Sequence, residues 1–415
     1  MIRQKRIFLL ALGFLLLFLI TTNYVWIALP NNENEVKKVQ SIEEKIYSEM
    51  KKLPDIYKFK SIISDRGTDI FLKNIRDVES ALDEKSLKEL WREANSWVSK
   101  TQLVNASSPN LGKIQFALKH AKIIKADVDT RGTQLKILLT LQGNQLVVFK
   151  PKWYDKTKIV EGPVYAGKDR HASEILGFYL SIILKKPLCP ISVERQISLK
   201  NDVLPVATKS LLETSYIRNN NTCVYGKCFF CKETDPVCDN NSYLSGAVIF
   251  NFNATLATHR SPWQRTYKKG KKALWQVFPE SYCKTVKERI SEKRLHDLID
   301  ISIFDFLIQN GDRHHYETLD DTVLWLDNGK GLGNPNTHHI DILAPLYQCC
   351  ILRRETWKTL LKLTGGTIRE HLEMIPGVKA MVTEDHLRAI EQRLLIVFAT
   401  TEYCRHFKQS EHYLT

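Results

Sequence analysis

The chain has 415 residues, 43% of them hydrophobic, which exceeds one average domain and suffices for a sizeable core. Lys and Arg number 60 against 46 Asp and Glu, a net charge of +14. That balance favours anionic partners such as nucleotide phosphates, sulfated or uronic-acid polysaccharides and acidic proteins, without choosing among them.

Residues 7–29, IFLLALGFLLLFLITTNYVWIAL, carry no charge and reach the roughly 20 apolar residues that cross a bilayer. Arg3, Lys5 and Arg6 precede them. The positive-inside rule then makes residues 1–6 a cytoplasmic tail, 7–29 a single-pass type II anchor, and the rest lumenal. The apolar run exceeds the core of an ordinary signal peptide and has no clear A-x-A site. Across a membrane, nucleic acid drops out as a partner. Asn105, Asn220, Asn240 and Asn253 each open an N-x-S/T glycosylation triplet, in keeping with a secretory compartment. Cys223, Cys228, Cys231 and Cys238 form a cluster that would suggest zinc in the cytosol and disulfides in the lumen. Adjacent Cys349 and Cys350 pair with each other only under strain, so they seek two different partners among Cys189, Cys283 and Cys404. The odd count of nine leaves one thiol free.

Residues 30–110 read as a lumenal stem and N-terminal helical segment, with helical spacing through 69–99. The body begins near Leu111. TQLKILLTL (133–141) and QLVVFKP (145–151) predict a β-hairpin that turns at Gly143-Asn144 and ends at Lys150 and Lys152. DRHASEILGFYLSIILKK (169–186) predicts a helix with Ile175, Leu176, Tyr179, Ile182 and Ile183 on one face, Asp169 at the N-cap and Glu174 beyond it. GAVIFNF (246–252) reads as a short buried strand and 295–310 as a long buried helix. That helix runs into the polar loop IQNGDRHHYE (308–317). TVLWLDNGKG (322–331) reads as a strand with an acid at its end, and helices at 354–364 and 384–405 close the chain.

This is the element order of an atypical protein-kinase-like fold, α+β and bilobal. Residues 111–245 form the N-lobe, a β-sheet plus helix with a cysteine-rich insertion; 246–415 form the hinge and a mainly helical, disulfide-stabilised C-lobe. Phosphoryl transfer explains each part. A triphosphate needs a cation on a rigid strand, Lys150, and that lysine needs an anionic partner, Glu174. An acceptor hydroxyl needs a carboxylate near the proton it loses, Asp312. Metal ions need carboxylates, and Asp327 before Asn-Gly suits that task. His314 and His315, adjacent and expected to point apart, are read as packing and hydrogen-bonding residues rather than zinc ligands. Lys152 either neutralises a phosphate or faces water. Trp263, Arg265 and Tyr267 either hold a sugar or brace the surface, and KKGKK (268–272) is first a solvated face. A rival reading is a glycosyltransferase whose Asp127-Val128-Asp129 holds a metal-bound sugar nucleotide. A pseudokinase that activates another kinase is a third.

DRHHYE (312–317), LDNGKG (326–331), PLYQCC (345–350), NNTCVYGKCFFC (220–231) and VVFKPK (147–152) resemble the secretory-pathway kinases related to the Golgi casein kinase. KIIKADV (122–128), RGTQLK (131–136), GNP (333–335) and APLYQCCI (344–351) look most like the branch of glycosaminoglycan xylosylkinases. The likeness covers roughly residues 115–405. It implies a Golgi membrane enzyme that uses ATP and Mn2+, with Mg2+ as the alternative. The phosphate would go to the 2-hydroxyl of xylose in the proteoglycan linkage glycan, with galactosyl-xylose the expected acceptor. Serine of acidic secreted proteins is the alternative substrate within the family. The resemblance also implies roles. Gln134, Lys150 and Glu317 would contact ATP, Ile249, Phe250, Asn251 and Phe252 would form the hinge beside adenine, and Asp312 would be the catalytic base. Asp327 would bind metal and phosphate, Asp169 would help hold the metal, and Glu174 would be a second acid of the same helix. It implies the disulfides Cys223–Cys238, Cys228–Cys231, Cys283–Cys349 and Cys350–Cys404, with Cys189 free. Two departures stand out: no G-x-G-x-x-G loop precedes Lys150, and Asp169 stands where other members can carry glutamate.

Overall fold

The hairpin around Gly143-Asn144 is the seed of the N-terminal sheet. Both turn residues have positive φ, 82° and 67°, which glycine and asparagine tolerate. In the computed structural model, which describes residues 40–61, 65–76, 78–408 and Leu414, five antiparallel strands form this sheet. They are β1 (Ile123–Val128), β2 (Ile137–Leu141), β3 (Gln145–Pro151), β4 (Ser192–Ile197) and, after the insertion, Leu244–Phe250. The cysteine-rich insertion supplies β5 (Ser215–Arg218), β6 (Asn221–Val224) and β7 (Val237–Cys238), so Leu244–Phe250 is β8. The order across the main sheet is β1-β2-β3-β8-β4. Because β8 is an inner strand, the sheet runs to Phe250, and the passage between lobes begins there rather than at residue 246. α1 (Glu84–Ser96) packs on this body through Trp91, whose indole nitrogen donates to Gln142 O at 2.9 Å.

Four expectations need correction. The first hairpin strand starts at Ile137, not 133, because residues 129–136 close into a loop. Arg131 folds its guanidinium and its backbone N–H onto the Asp129 carboxylate, and Gly132 takes φ 76°. The helix after Lys150 is α2 (His171–Ile183), and it is buried on every face rather than one. The sheet covers one side of it and α3 (Glu292–Ile308) another, with Gly177 close to Phe304. The segment expected as a strand at 322–331 pairs only at Thr322–Val323. Beyond it, Leu324 and Trp325 give their N–H groups to Glu317 O and Leu188 O instead of a ladder. Part of the expected polar loop is itself a strand. β9 (Ala257–Arg260), β10 (His315–Leu319) and β11 (Thr322–Val323) form a small sheet in the order β11-β10-β9.

α3 and α4 (Glu384–Phe407) form the centre of the helical lobe. Buried Arg393 of α4 donates to Leu307 O at 3.0 Å, which satisfies a carbonyl at the end of α3. Four disulfides are present, Cys223–Cys238, Cys228–Cys231, Cys283–Cys349 and Cys350–Cys404, and Cys189 is a buried free thiol. Asn220, Asn240 and Asn253 are exposed, whereas Asn105 is half-buried. The expected anchor at 7–29 lies outside the described residues, and no helix among those described is long and apolar enough to cross a membrane.

Cys350–Cys404 closes a separation of 54 residues and Cys228–Cys231 only 3. Loop-closure entropy gives about 4 kcal/mol for the first and about 2 kcal/mol for the second. Replacing both cysteines of each pair with alanine and following thermal unfolding is expected to lower Tm distinctly more for the Cys350–Cys404 variant.

Candidate active site

Side chains alternate across a strand, so Lys150 of β3 shares a face with Leu146 and Val148, opposite the buried Val147 and Phe149. On that face its ammonium meets three carboxylates: Glu174 Oε1 at 2.5 Å, Asp327 Oδ1 at 2.7 Å and Asp169 Oδ2 at 3.2 Å. Burial disfavours the charge of Lys150, but Asp327, Glu174 and Asp169 together outweigh it and raise its pKa well above the ordinary value. In turn the Lys150 ammonium holds the Asp327 carboxyl well below the usual carboxylate range. Asp327 sits at φ 55°, and its side chain is 75% exposed, so its remaining oxygen is open to a ligand. Asp169 is not the N-cap of α2; that position belongs to Arg170, which leaves the Asp169 side chain free to turn to Lys150. The approach is close enough that a Cβ on Gly329 would lie 2.7 Å from Asp169 Cγ, so glycine is required after Asn328.

Each of the three acids offers one oxygen, all within 4.8 Å of one another. Lys330, 3.7 Å from Asp169, is the other cation paired at this cluster. Three carboxylates converge there, and all-oxygen donors suit a hard divalent cation. Glu174, the nearest acid to Lys150 and buried, fits the lysine-holding task, while Asp327 is the exposed acid of the three and Asp169 faces both Lys150 and Lys330.

The same strand face continues as an open apolar surface. Val148 lies opposite Leu138 on one side and Ile249 on the other, and all three are half-buried. Phe250 is buried, while Asn251 and Phe252 lead out of the sheet. Asn251 donates to Leu146 O at 3.2 Å, and its own carbonyl accepts from Gln145 at 3.0 Å. Gln134 lines a small pocket with Trp153, Lys168 and Phe230 beside the cysteine-rich insertion. Lys136, which sequence reading missed, sits near Asp327 and Lys150. Burial lowers its pKa, followed by the charge of Lys150, with Asp327 acting the other way. Its alternation with Leu138 was the available signal.

Across from this group, Asp312 follows the end of α3, where Gln309 takes a left-handed conformation. Arg313 fixes the loop. Its guanidinium donates to both Asp305 oxygens, at 2.8 and 2.6 Å, to Asn328 Oδ1 at 2.8 Å and to Leu326 O. One side chain therefore ties the residue after Asp312 to both neighbours of Asp327. The sequence places Arg313 in the DRHHYE run but gives no sign of its partner Asp305, buried in α3. Glu317, on β10, is half-buried; burial pushes its carboxyl up, Arg313 opposes, and the charge of Asp327 adds to the rise.

Asp312 Oδ1 accepts from the Tyr267 hydroxyl. Burial, then that bond and the Asp312 charge, push the phenol pKa up, so Tyr267 stays a donor. A pocket beside Asp312 is lined by Trp263, Arg265, Tyr267, Trp275 and His314. Within it Trp263 is a brace, buried and donating to Gln348 at 2.8 Å, and Arg265 is tied to Asp341 and Gly311 O. Tyr267 is the exposed member of that trio. Lys152 pairs with Asp155 rather than with the acid cluster. His314 and His315 do not point apart: their rings meet edge to face at 4.7 Å. The Asp-x-Asp pair is also accounted for locally. Asp127 accepts from Thr208 at 2.6 Å, while Asp129 is bound by Arg131.

Residues 89–413 match the family described as Golgi casein kinase, C-terminal, Fam20. The chain belongs to the Fam20 family. A glycosaminoglycan xylosylkinase homolog of Drosophila melanogaster is 38% identical over 92% of this chain and 91% of its own. The Homo sapiens glycosaminoglycan xylosylkinase is 43% identical over 77% and 81%. Among solved structures, hydra Fam20 with sugar superposes with a TM-score of 0.74 at 38% identity, covering 79% of this chain and 98% of that one. The Golgi casein kinase with Mn/ADP bound gives 0.72 at 25% identity, covering 89% and 92%. The Fam20 fold is thus the atypical kinase fold read from the element order.

His314 Nδ1 lies 2.8 Å from Asp312 O, and its hydrogen bonding to Asp312 raises its pKa above 6.5. A raised histidine pKa stabilises the fold below the unfolded value, and that contribution fades as pH rises through the folded one. His314→Gln is therefore expected to lower Tm at about pH 5.5 and to leave it unchanged at about pH 8.5, when Tm is measured across pH.

Proposed function

We propose that this Fam20 chain transfers the γ-phosphate of ATP to the 2-hydroxyl of xylose in the linkage glycan of proteoglycans, with galactosyl-xylose as acceptor. The observation that carries the reading is the placement of Asp312. Its side chain lines an aromatic-lined pocket, and the next residue, Arg313, ties its loop to both neighbours of Asp327. The substrate assignment draws on identity of 38–43% to glycosaminoglycan xylosylkinases over most of both chains, against 31% to the extracellular serine/threonine kinase FAM20C.

In this reading the open face of Leu138, Val148 and Ile249 receives the base, with Phe250, Asn251 and Phe252 at its edge. Lys150 holds phosphate oxygens, and Glu174 keeps the ammonium in place. Gln134, Lys136 and Glu317 complete the nucleotide side. Asp327 and Asp169 would hold Mn2+, or Mg2+, whose chemistry when bound is to neutralise charge on the phosphates. Asp312 accepts the proton of the xylose 2-hydroxyl as that oxygen bonds to the γ-phosphorus and the bond from phosphorus to the departing ADP oxygen breaks. Tyr267 occupies one oxygen of Asp312 and leaves the other for the sugar hydroxyl. The enzyme is placed in the Golgi lumen, held by residues 7–29. The flanking Arg3, Lys5 and Arg6 support the orientation, and the four disulfides fit an oxidising compartment.

Purified full-length enzyme with radiolabelled ATP and Mn2+ is to be offered a galactosyl-xyloside beside an acidic serine peptide. The xyloside is expected to be labelled and the peptide not; the opposite outcome would make the chain a secreted-protein kinase. Asp312→Ala and Asp327→Ala are each expected to lower kcat by at least about a hundredfold with disulfide content kept. Near-normal turnover in either variant removes its assigned role.

A further inference from the structure

The basic run KKGKK (268–272) is a five-residue excursion with both ends at the acceptor pocket. Tyr267, immediately before it, lines that pocket and donates to Asp312; Trp275, shortly after it, lines the same pocket. The run turns back on itself, with Lys271 N–H bonded to Lys268 O at 3.1 Å and Gly270 at φ 74°. Lys268, Lys269, Lys271 and Lys272 are all exposed. The ion pairs nearest in sequence, Arg265–Asp341 and Lys408–Glu280, use other cations, and among the described residues these four ammonium groups have no carboxylate partner. Elsewhere on the surface, lysines such as Lys58 and Lys358 pair with acids three residues away. Four uncompensated charges at a pocket rim raise the local concentration of anionic ligands.

Resting on the reading of this site as a xylose kinase, the chemistry of the acceptor decides which anion. Xylose and galactose are neutral. The part of a serine-linked galactosyl-xylose able to carry carboxylates is the polypeptide that bears it. We propose that the 268–272 loop binds acidic residues flanking the xylosylated serine of the acceptor protein, so that the enzyme selects acceptors by peptide charge as well as by sugar. Exposed pairs of this kind are screened by salt and act on encounter and affinity rather than on the chemical step.

The test compares the full-length enzyme with its K268Q/K269Q/K271Q/K272Q variant on three acceptors. These are a galactosyl-xyloside, a galactosyl-xylosylated serine peptide flanked by Asp and Glu, and the same glycopeptide with Asn and Gln in their place. The wild type is expected to show a KM about tenfold lower for the acidic than for the amidated glycopeptide. That advantage should vanish in the variant and at high salt, with kcat, the KM for ATP and turnover of the xyloside unchanged. Equal KM values for the two glycopeptides in the wild type would overturn the proposal. So would a variant that weakens both glycopeptides alike, or a stronger preference for a uronate-bearing glycan on the amidated peptide. If the wild type fails on the plain galactosyl-xyloside, the sugar-kinase reading itself falls and the loop proposal with it. Turnover of the xyloside without glycopeptide discrimination sinks the loop alone.

Discussion

A single ammonium group organises the molecule. Lys150 is buried, and it draws together carboxylates from two parts of the chain, Asp169 and Glu174 at the start of α2 and Asp327 beyond β11, 177 residues away from the lysine. Three acids this close repel one another, and a buried lysine without them would lose its charge. Each therefore depends on the other. The hairpin, α2 and the segment after β11 are locked into one arrangement by an electrostatic requirement rather than by apolar packing alone. The exposed Asp327 carboxylate, bonded to Lys150 through one oxygen, keeps its other oxygen for a further cation.

A second pair does for the Asp312 loop what Lys150 does for the acid cluster. Asp305 is buried and the Arg313 side chain is only 10% exposed, and removing one member of a buried pair strands the other at about 3–5 kcal/mol. Arg313 spends its remaining donors on Leu326 and Asn328, which ties the loop of Asp312 to the loop of Asp327. Tyr267 then joins Asp312 to the segment that ends in the basic run. The route from the acid cluster to the pocket beside Asp312 is polar and continuous.

Much of this was legible in the residues. The β-branched runs around Gly143-Asn144 gave the hairpin and brought Lys150 to its place, and the buried helix before Asp312 was plain from its apolar content. Asp312 and Asp327 stood out because each follows an apolar run. What stayed hidden depended on long-range partners. Asp169 resembled an N-cap because an acid before a helix ordinarily is one; only the distant Lys150 and the tight passage at Gly329 show otherwise. The run HYETL hides in a polar loop because β10 is made by pairing with β9, which a single segment cannot display. Asp305 lay within a helix that read as largely buried, and Lys136 behind a strand start drawn too early.

The most direct test of the account is the response of thermal stability to Mn2+ in the absence of nucleotide, compared between wild type and Lys150→Met. If the ammonium and a divalent ion compete for the same three carboxylates, removing the ammonium should enlarge the rise in Tm that Mn2+ produces, and adding Asp327→Asn to the variant should abolish the gain. An Mn2+ response identical in wild type and Lys150→Met would mean that the metal binds elsewhere, and the acid cluster would lose its place at the centre of the mechanism.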